Sequence, residues 1–265
     1  MARLPSVFMS HGSPMHALQP GAAGEAWAAL GRRFGKPKAI LIASAHWETN
    51  MPMLTGSEKP ETIHDFYNFP EPLYRLRYPA PGSPALAQRA QALLKSAGFT
   101  AAIDGCRGLD HGAWAPLLYA YPDADVPVVQ ISIQPALGPT HHVALGRALR
   151  PLSDEGVLIV GSGHLTHNLR DMDRTGRGGI APYAKEFQHW VFEQIEERQL
   201  DALADYRSRS PHGVRAHPTD EHFLPLFFAL GAARDASRPE RVYDAIDSGA
   251  LAMDAYVFHP EHQTS

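Results

Sequence analysis

A chain of 265 residues, 44% hydrophobic and 20% charged, is long enough to bury one large α/β core. Its formal charge of -4 gives no electrostatic footprint for nucleic acid, and no stretch approaches the roughly 18 consecutive apolar residues of a membrane span. A single cysteine, Cys106, excludes a disulfide framework and a thiolate zinc site and fits a cytoplasmic protein, which leaves 15 histidines as the available metal-binding and proton-transfer chemistry.

In chain order, residues 4–10 read as a short strand closed by His11-Gly12-Ser13-Pro14. The spacing of Trp27, Leu30 and Phe34 predicts an amphipathic helix over 24–34, ended by Gly35 and Pro37. Residues 38–47 form an apolar run without alternation, as in a strand covered on both faces, and it ends on His46. Open α/β sheets keep their ligand crevices at the carboxyl ends of strands. In this β-α-β opening the two strands are expected side by side, so that His11 and His46 converge.

Residues 49–83 hold six prolines and several aromatic residues, too much for an idle connection. The alternatives are a surface wrap and a pocket wall, with Thr62-Ile63-His64-Asp65-Phe66 nearest a substrate. A helix follows over 84–94 and a strand over 99–103. Gly108 to Trp114 then reads as a glycine-bracketed turn presenting His111 beside Asp110.

Residues 126–133 and 157–163 are two more core strands. Between them Thr140 is expected to cap a helix over 141–149, with His141 and His142 solvated in its first turn. The second of these strands leads into His164 and His167. A helix over 183–197 turns Phe187, Trp190, Val191 and Ile195 inward and leaves His189 exposed. Thr219 is expected to cap a helix over 220–230, with His222 in its first turn and Gly231 ending it. Residues 242–246 and 251–258 close the sheet, antiparallel at its edge, before a polar tail with His259 and His262. The fold class that results is α/β: a single domain over 1–265, with a central, mostly parallel twisted sheet and helices on both faces.

Histidines therefore collect at strand and helix edges from the whole length of the chain. Several neutral imidazoles around one point suit Zn, Fe, Cu or Ni rather than Mg or Ca.

Seven segments carry a resemblance: Ser10-His11-Gly12-Ser13-Pro14-Met15, Ser44-Ala45-His46-Trp47, the segment from Thr62 to Phe66, the segment from Tyr78 to Pro84, Asp110-His111-Gly112-Ala113-Trp114, Thr166-His167-Asn168-Leu169 and the segment from Glu221 to Leu226. Together and in this order they resemble the class III extradiol ring-cleavage dioxygenases of the DOPA dioxygenase type. The resemblance implies one non-haem Fe(II), often replaced by Zn in purified protein, held by His11, His46 and His222. It implies acid/base roles for His167 and His111, and substrate contacts at His64, Asp65 and Ser13. The partners implied are a small-molecule catechol and O2, with no nucleic acid or membrane, in a monomer or small homo-oligomer. One departure is the short loop His217-Pro218-Thr219-Asp220-Glu221-His222, which leaves open which catechol is cleaved. His164 is an extra histidine beside His167; the latter is favoured because Asn168-Leu169 follows it. A zinc-dependent hydrolase on the same histidines, with Glu48, Asp65, Asp110 or Glu221 as general base, and a non-catalytic metal-binding protein are the rival readings.

Overall fold

Two strands buried on both faces, β1 (Ser6–Ser10) and β2 (Ala39–Glu48), lie in the middle of an eight-stranded sheet in the computed structural model, which describes residues 3–260 apart from 174, 176, 235 and 236. Along β2, Ile40 and Ile42 enter one hydrophobic core while Leu41 and Ala43 enter the other. The unbroken apolar run of the sequence is thus period-two alternation with both faces covered.

The other strands are β3 (Met53–Thr55), β4 (Ala102–Asp104), β5 (Val128–Ile133), β6 (Val157–Gly163), β7 (Arg238–Tyr243), the hairpin β8 (Ile246–Asp247) and β9 (Leu251–Ala252), and β10 (Ala255–His259). The sheet order is β4-β3-β5-β2-β6-β1-β10-β7. Strands β5, β2, β6 and β1 run parallel, and β10 is antiparallel to both of its neighbours. The expected central parallel sheet with an antiparallel edge is what the chain forms.

Helices α1 (Gly21–Phe34), α2 (Pro84–Ser96), α3 (His111–Ala120), α4 (Gly138–Leu149), α5 (Pro182–Glu196) and α6 (Leu224–Ala232) cover the sheet. Trp27 of α1 and Trp114 of α3 pack on one face; Leu94 of α2, Leu145 of α4, Phe187 of α5 and Phe227 of α6 pack on the other. Among the described residues no helix is long and apolar enough to cross a membrane.

Several expectations are corrected. Strands β1 and β2 are not neighbours: β6 lies between them, paired to β1 through Ser10 and Gly163 and to β2 through Ser44 and Ser162. Residues 111–120 are not a turn but helix α3, with the Asp110 side chain accepting from the Ala113 N–H as its cap. Residues 113–117 are all buried, so this helix has no polar face and shows no 3.6-residue period in the sequence. Helix α6 starts at Leu224, with Pro225 in its first turn, where a missing N–H costs nothing. His222 therefore stands in the preceding turn, and Gly231 lies inside the helix. Helix α4 begins at Gly138 without a side-chain cap, and His142, expected in solvent, is fully buried. The 49–83 segment holds β3 and a short helix, Glu71–Arg75. His189 is exposed as expected; His262 lies outside the described residues.

Candidate active site

The carboxyl ends of β1, β2 and β6, the start of α3 and the turn before α6 meet at one edge of the sheet. His46 Nε2 lies 3.0 Å from His11 Nε2 and 3.3 Å from His222 Nε2. A neighbour on Nδ1 assigns each ring its tautomer. The Ser162 hydroxyl donates to the Gly112 carbonyl, so its oxygen accepts from His11 Nδ1–H at 3.0 Å. The Glu221 carboxylate accepts from His222 Nδ1–H at 2.9 Å, and Asp65 Oδ2 lies 3.3 Å from His46 Nδ1. With all three protons on Nδ1, three Nε2 lone pairs converge and repel one another unless a cation lies among them. A first-row metal holds imidazole nitrogens at about 2.0–2.1 Å, which spaces them about 3.0–3.4 Å apart. The observed spacing fits, and His11, His46 and His222 form a group able to hold a metal ion.

Small residues let these elements approach. A Cβ on Gly112 would lie 2.4 Å from Ser44 Oγ and 3.2 Å from His11 Nδ1, so only glycine admits the first turn of α3. A Cβ on Gly163 would lie 2.2 Å from the His222 carbonyl, the group that accepts from the His164 N–H at 2.8 Å and so ties the His222 turn to β6.

Further histidines ring this centre. His111 donates to Asp65 twice, from Nδ1 to Oδ2 and from its backbone N–H to Oδ1, both at 2.8 Å, and its ring lies 4.0 Å from that of His46. The His167 ring stacks on His222, 3.4 Å away and 13° from parallel. His164 is buried, edge-on to His11 at 4.9 Å, with Nδ1 lacking a hydrogen-bond partner among the described residues. Between these two, it is His167 that keeps partial solvent access.

Burial first, then neighbouring imidazoles, holds His11 and His222 well below the ordinary histidine range. The same causes lower His46 to about 3, burial leading and His111 next, and His167 to about 4. These rings are neutral at pH 7, so no proton competes for their lone pairs. Burial works to raise Asp65, but the His111 hydrogen bond and the charges of His111 and His46 outweigh it and lower this carboxyl.

Two sequence-predicted contacts fall outside the cluster. Ser13 Oγ accepts from the Met15 N–H as a helix cap. His64 Nε2 lies 3.1 Å from the Leu76 carbonyl, and Phe66 stands between His64 and His111, with its ring 5.7 Å from one and 5.6 Å from the other. Sequence reasoning missed Ser162, a small residue inside a strand with no signal of its own. It also missed Arg107, whose guanidinium lies 4.6 Å over the Trp47 ring and donates to the His46 carbonyl at 3.3 Å.

The sequence model of the catalytic LigB subunit of aromatic ring-opening dioxygenase matches residues 5–258. The chain belongs to this LigB family. Among its relatives, the 4,5-DOPA dioxygenase extradiol of Beta vulgaris is 43% identical over 257 residues, 96% of each chain. The protein of that name from Escherichia coli K12 is 40% identical over 258 residues, 95% of this chain and 93% of its own. The crystal structure of an uncharacterized Escherichia coli K12 protein superposes on this LigB member with a TM-score of 0.82 at 34% identity, over 97% of this chain and 100% of that one. The resemblance drawn from the seven segments is therefore correct, and this LigB member is an extradiol ring-opening dioxygenase.

Proposed function

We propose that this enzyme opens the ring of a catechol of the DOPA type with O2, at a non-haem iron held by His11, His46 and His222. The observation that carries the reading is the convergence of three Nε2 lone pairs at 3.0 and 3.3 Å, each ring aimed by its own Nδ1 partner. Iron, when bound, supplies a chelation point for the diol oxygens and a redox path to O2. Zinc would fill the same three positions without that redox path.

The remaining chemistry belongs to the chain. His111 directs Nδ1–H at Asp65, so its Nε2 is the atom that accepts or returns a proton, and the carboxylate stabilises the imidazolium so formed. His167, neutral and flat against His222, is the second such group and takes a proton from a diol hydroxyl. Asp65 acts through His111 and His46 as a positioning residue. Phe66, its ring 5.6 Å from that of His111 and packed against the buried Trp114 and against His64, offers an apolar surface suited to a flat aromatic substrate. Ser13 shapes the turn that follows His11. The hydrolase reading loses support because three of its four candidate bases are taken: Asp65 and Glu221 are engaged on imidazoles, and Asp110 is enclosed by Ser44, Gln130 and the α3 backbone.

Oxygen uptake after anaerobic Fe(II) loading tests the reading, with DOPA, caffeate, protocatechuate and gallate as the panel. Uptake matched one-to-one by a yellow ring-opened product is the expected result. Absence of uptake with every diol, in protein shown to contain iron, overturns it.

A further inference from the structure

A cavity of about 200 Å³ opens where the carboxyl ends of α4, α5 and α6 meet strands β7 and β10. Ile195, Leu230 and Phe258 contribute apolar walls, and Arg147, Arg150, Arg198 and Arg234 contribute guanidinium groups. No aspartate or glutamate is among the described residues lining it. His222 precedes the first residue of α6, and the cavity lies at that helix's other end, about 13 Å further along at 1.5 Å per residue. It is a separate place from the histidine centre.

Arginine near a helix carboxyl terminus has a simple role, to neutralise the dipole and bind the last carbonyls. That accounts for Arg150, which donates to the Gly231 carbonyl at 3.2 Å. Arg147 lies in the last turn of α4, where its charge opposes the dipole, yet among the described residues neither it nor Arg234 binds a terminal carbonyl. The Arg147 side chain is exposed and has no hydrogen bond or ion pair among the described residues. Arg234 places Nη2 on Asp154 at 2.9 Å, yet its Nε is buried and has no acceptor among the described residues. A buried N–H without an acceptor is unfavourable, and the planar guanidinium matches a carboxylate in shape as well as charge. On the apolar side, a dry cavity of about 150 Å³ already holds a benzene ring, so the space here suits one ring or a short chain.

We propose that this cavity binds a small monocarboxylate with an aromatic or short-chain body, the body between Leu230 and Phe258 and the carboxylate on Arg234 and Arg147. Titration calorimetry on the metal-loaded enzyme tests it with benzoate, benzyl alcohol and acetate. Benzoate is expected to occupy one site, with benzyl alcohol and acetate each about tenfold weaker or more. Arg234→Gln and Arg147→Gln are each expected to weaken benzoate about tenfold while ring cleavage is unchanged. Ala233→Phe, which fills the cavity, is expected to abolish the site. Should Ala233→Phe fail to fold, Arg147→Gln at its exposed position still decides. The proposal is overturned by absent benzoate binding, by equal binding of benzyl alcohol, by unchanged benzoate affinity in both arginine variants, or by displacement of benzoate by catechol.

Discussion

Each of the three imidazoles at the centre is aimed by a different neighbour: Ser162 for His11, Asp65 for His46 and Glu221 for His222. His46→Ala removes a nitrogen common to both short Nε2 contacts, and iron content is expected to fall to about a tenth or less; full occupancy by metal analysis would reject His46 as a ligand. Glu221→Ala leaves all three histidines in place but frees the His222 ring, and metal affinity is expected to drop about 10–100-fold in a chelator competition. On the proposed roles, His167→Ala removes a proton-transfer group rather than a ligand. Iron should remain while kcat falls about 10²–10⁴-fold, and loss of iron instead would move His167 into the metal's own ligand set.

At the level of elements, the decisive packing is β6 against α6. A Cβ on Gly161 would lie 2.0 Å from the Pro225 carbonyl, so the helix that follows His222 can rest on the sheet only where β6 has no side chain. Gly161→Ala is expected to cost about 1–3 kcal/mol, read as a lower Tm. Gly112→Ala meets Ser44 and His11 instead, and metal content should fall together with Tm. A melt unchanged in both variants would mean that the two helices have room to retreat. The strands that these helices cover were legible because a core strand advertises itself by an apolar run. Helix α3 was not, since it is apolar on every side, and the start of α6 was misplaced because Thr219 and Asp220 imitate a cap.

For the molecule as a whole, buried neutral histidines set the response to acid. His142 donates from Nδ1 to the Gly138 carbonyl at 2.7 Å and accepts on Nε2 from the Gln134 N–H at 3.1 Å, an arrangement that only the neutral ring can make. Burial lowers it to about 4, and burial lowers His217 to about 3. Below about 6.5 the unfolded chain takes up protons that these folded rings refuse, so their stabilisation is present above pH 6.5 and is lost as pH falls towards 4. For His142 the full loss is about 3 kcal/mol. Asp254 works the other way, because burial raises its carboxyl to about 6 and acid favours the folded form there. Melting curves from pH 7 to 4.5 should show a steep fall of Tm that is shallower in His142→Gln; equal slopes would place the acid sensitivity elsewhere.

The sequence by itself determined the α/β class, the strand ends that deliver histidine and the seven segments that mark the family. All of these depend on local periodicity and on side chains adjacent along the chain. Tertiary structure alone decided how the histidines meet. Strand β6 enters between β1 and β2 from more than a hundred residues away, and His11 then takes its tautomer from Ser162, 151 positions distant. Tertiary structure also decided that Asp65 serves His111 and His46, that His167 rather than His164 keeps solvent access, and that His142 and His217 are buried. A ring's direction and protonation are set by whatever lies across from it in space, and that neighbour is not encoded in the residues beside it.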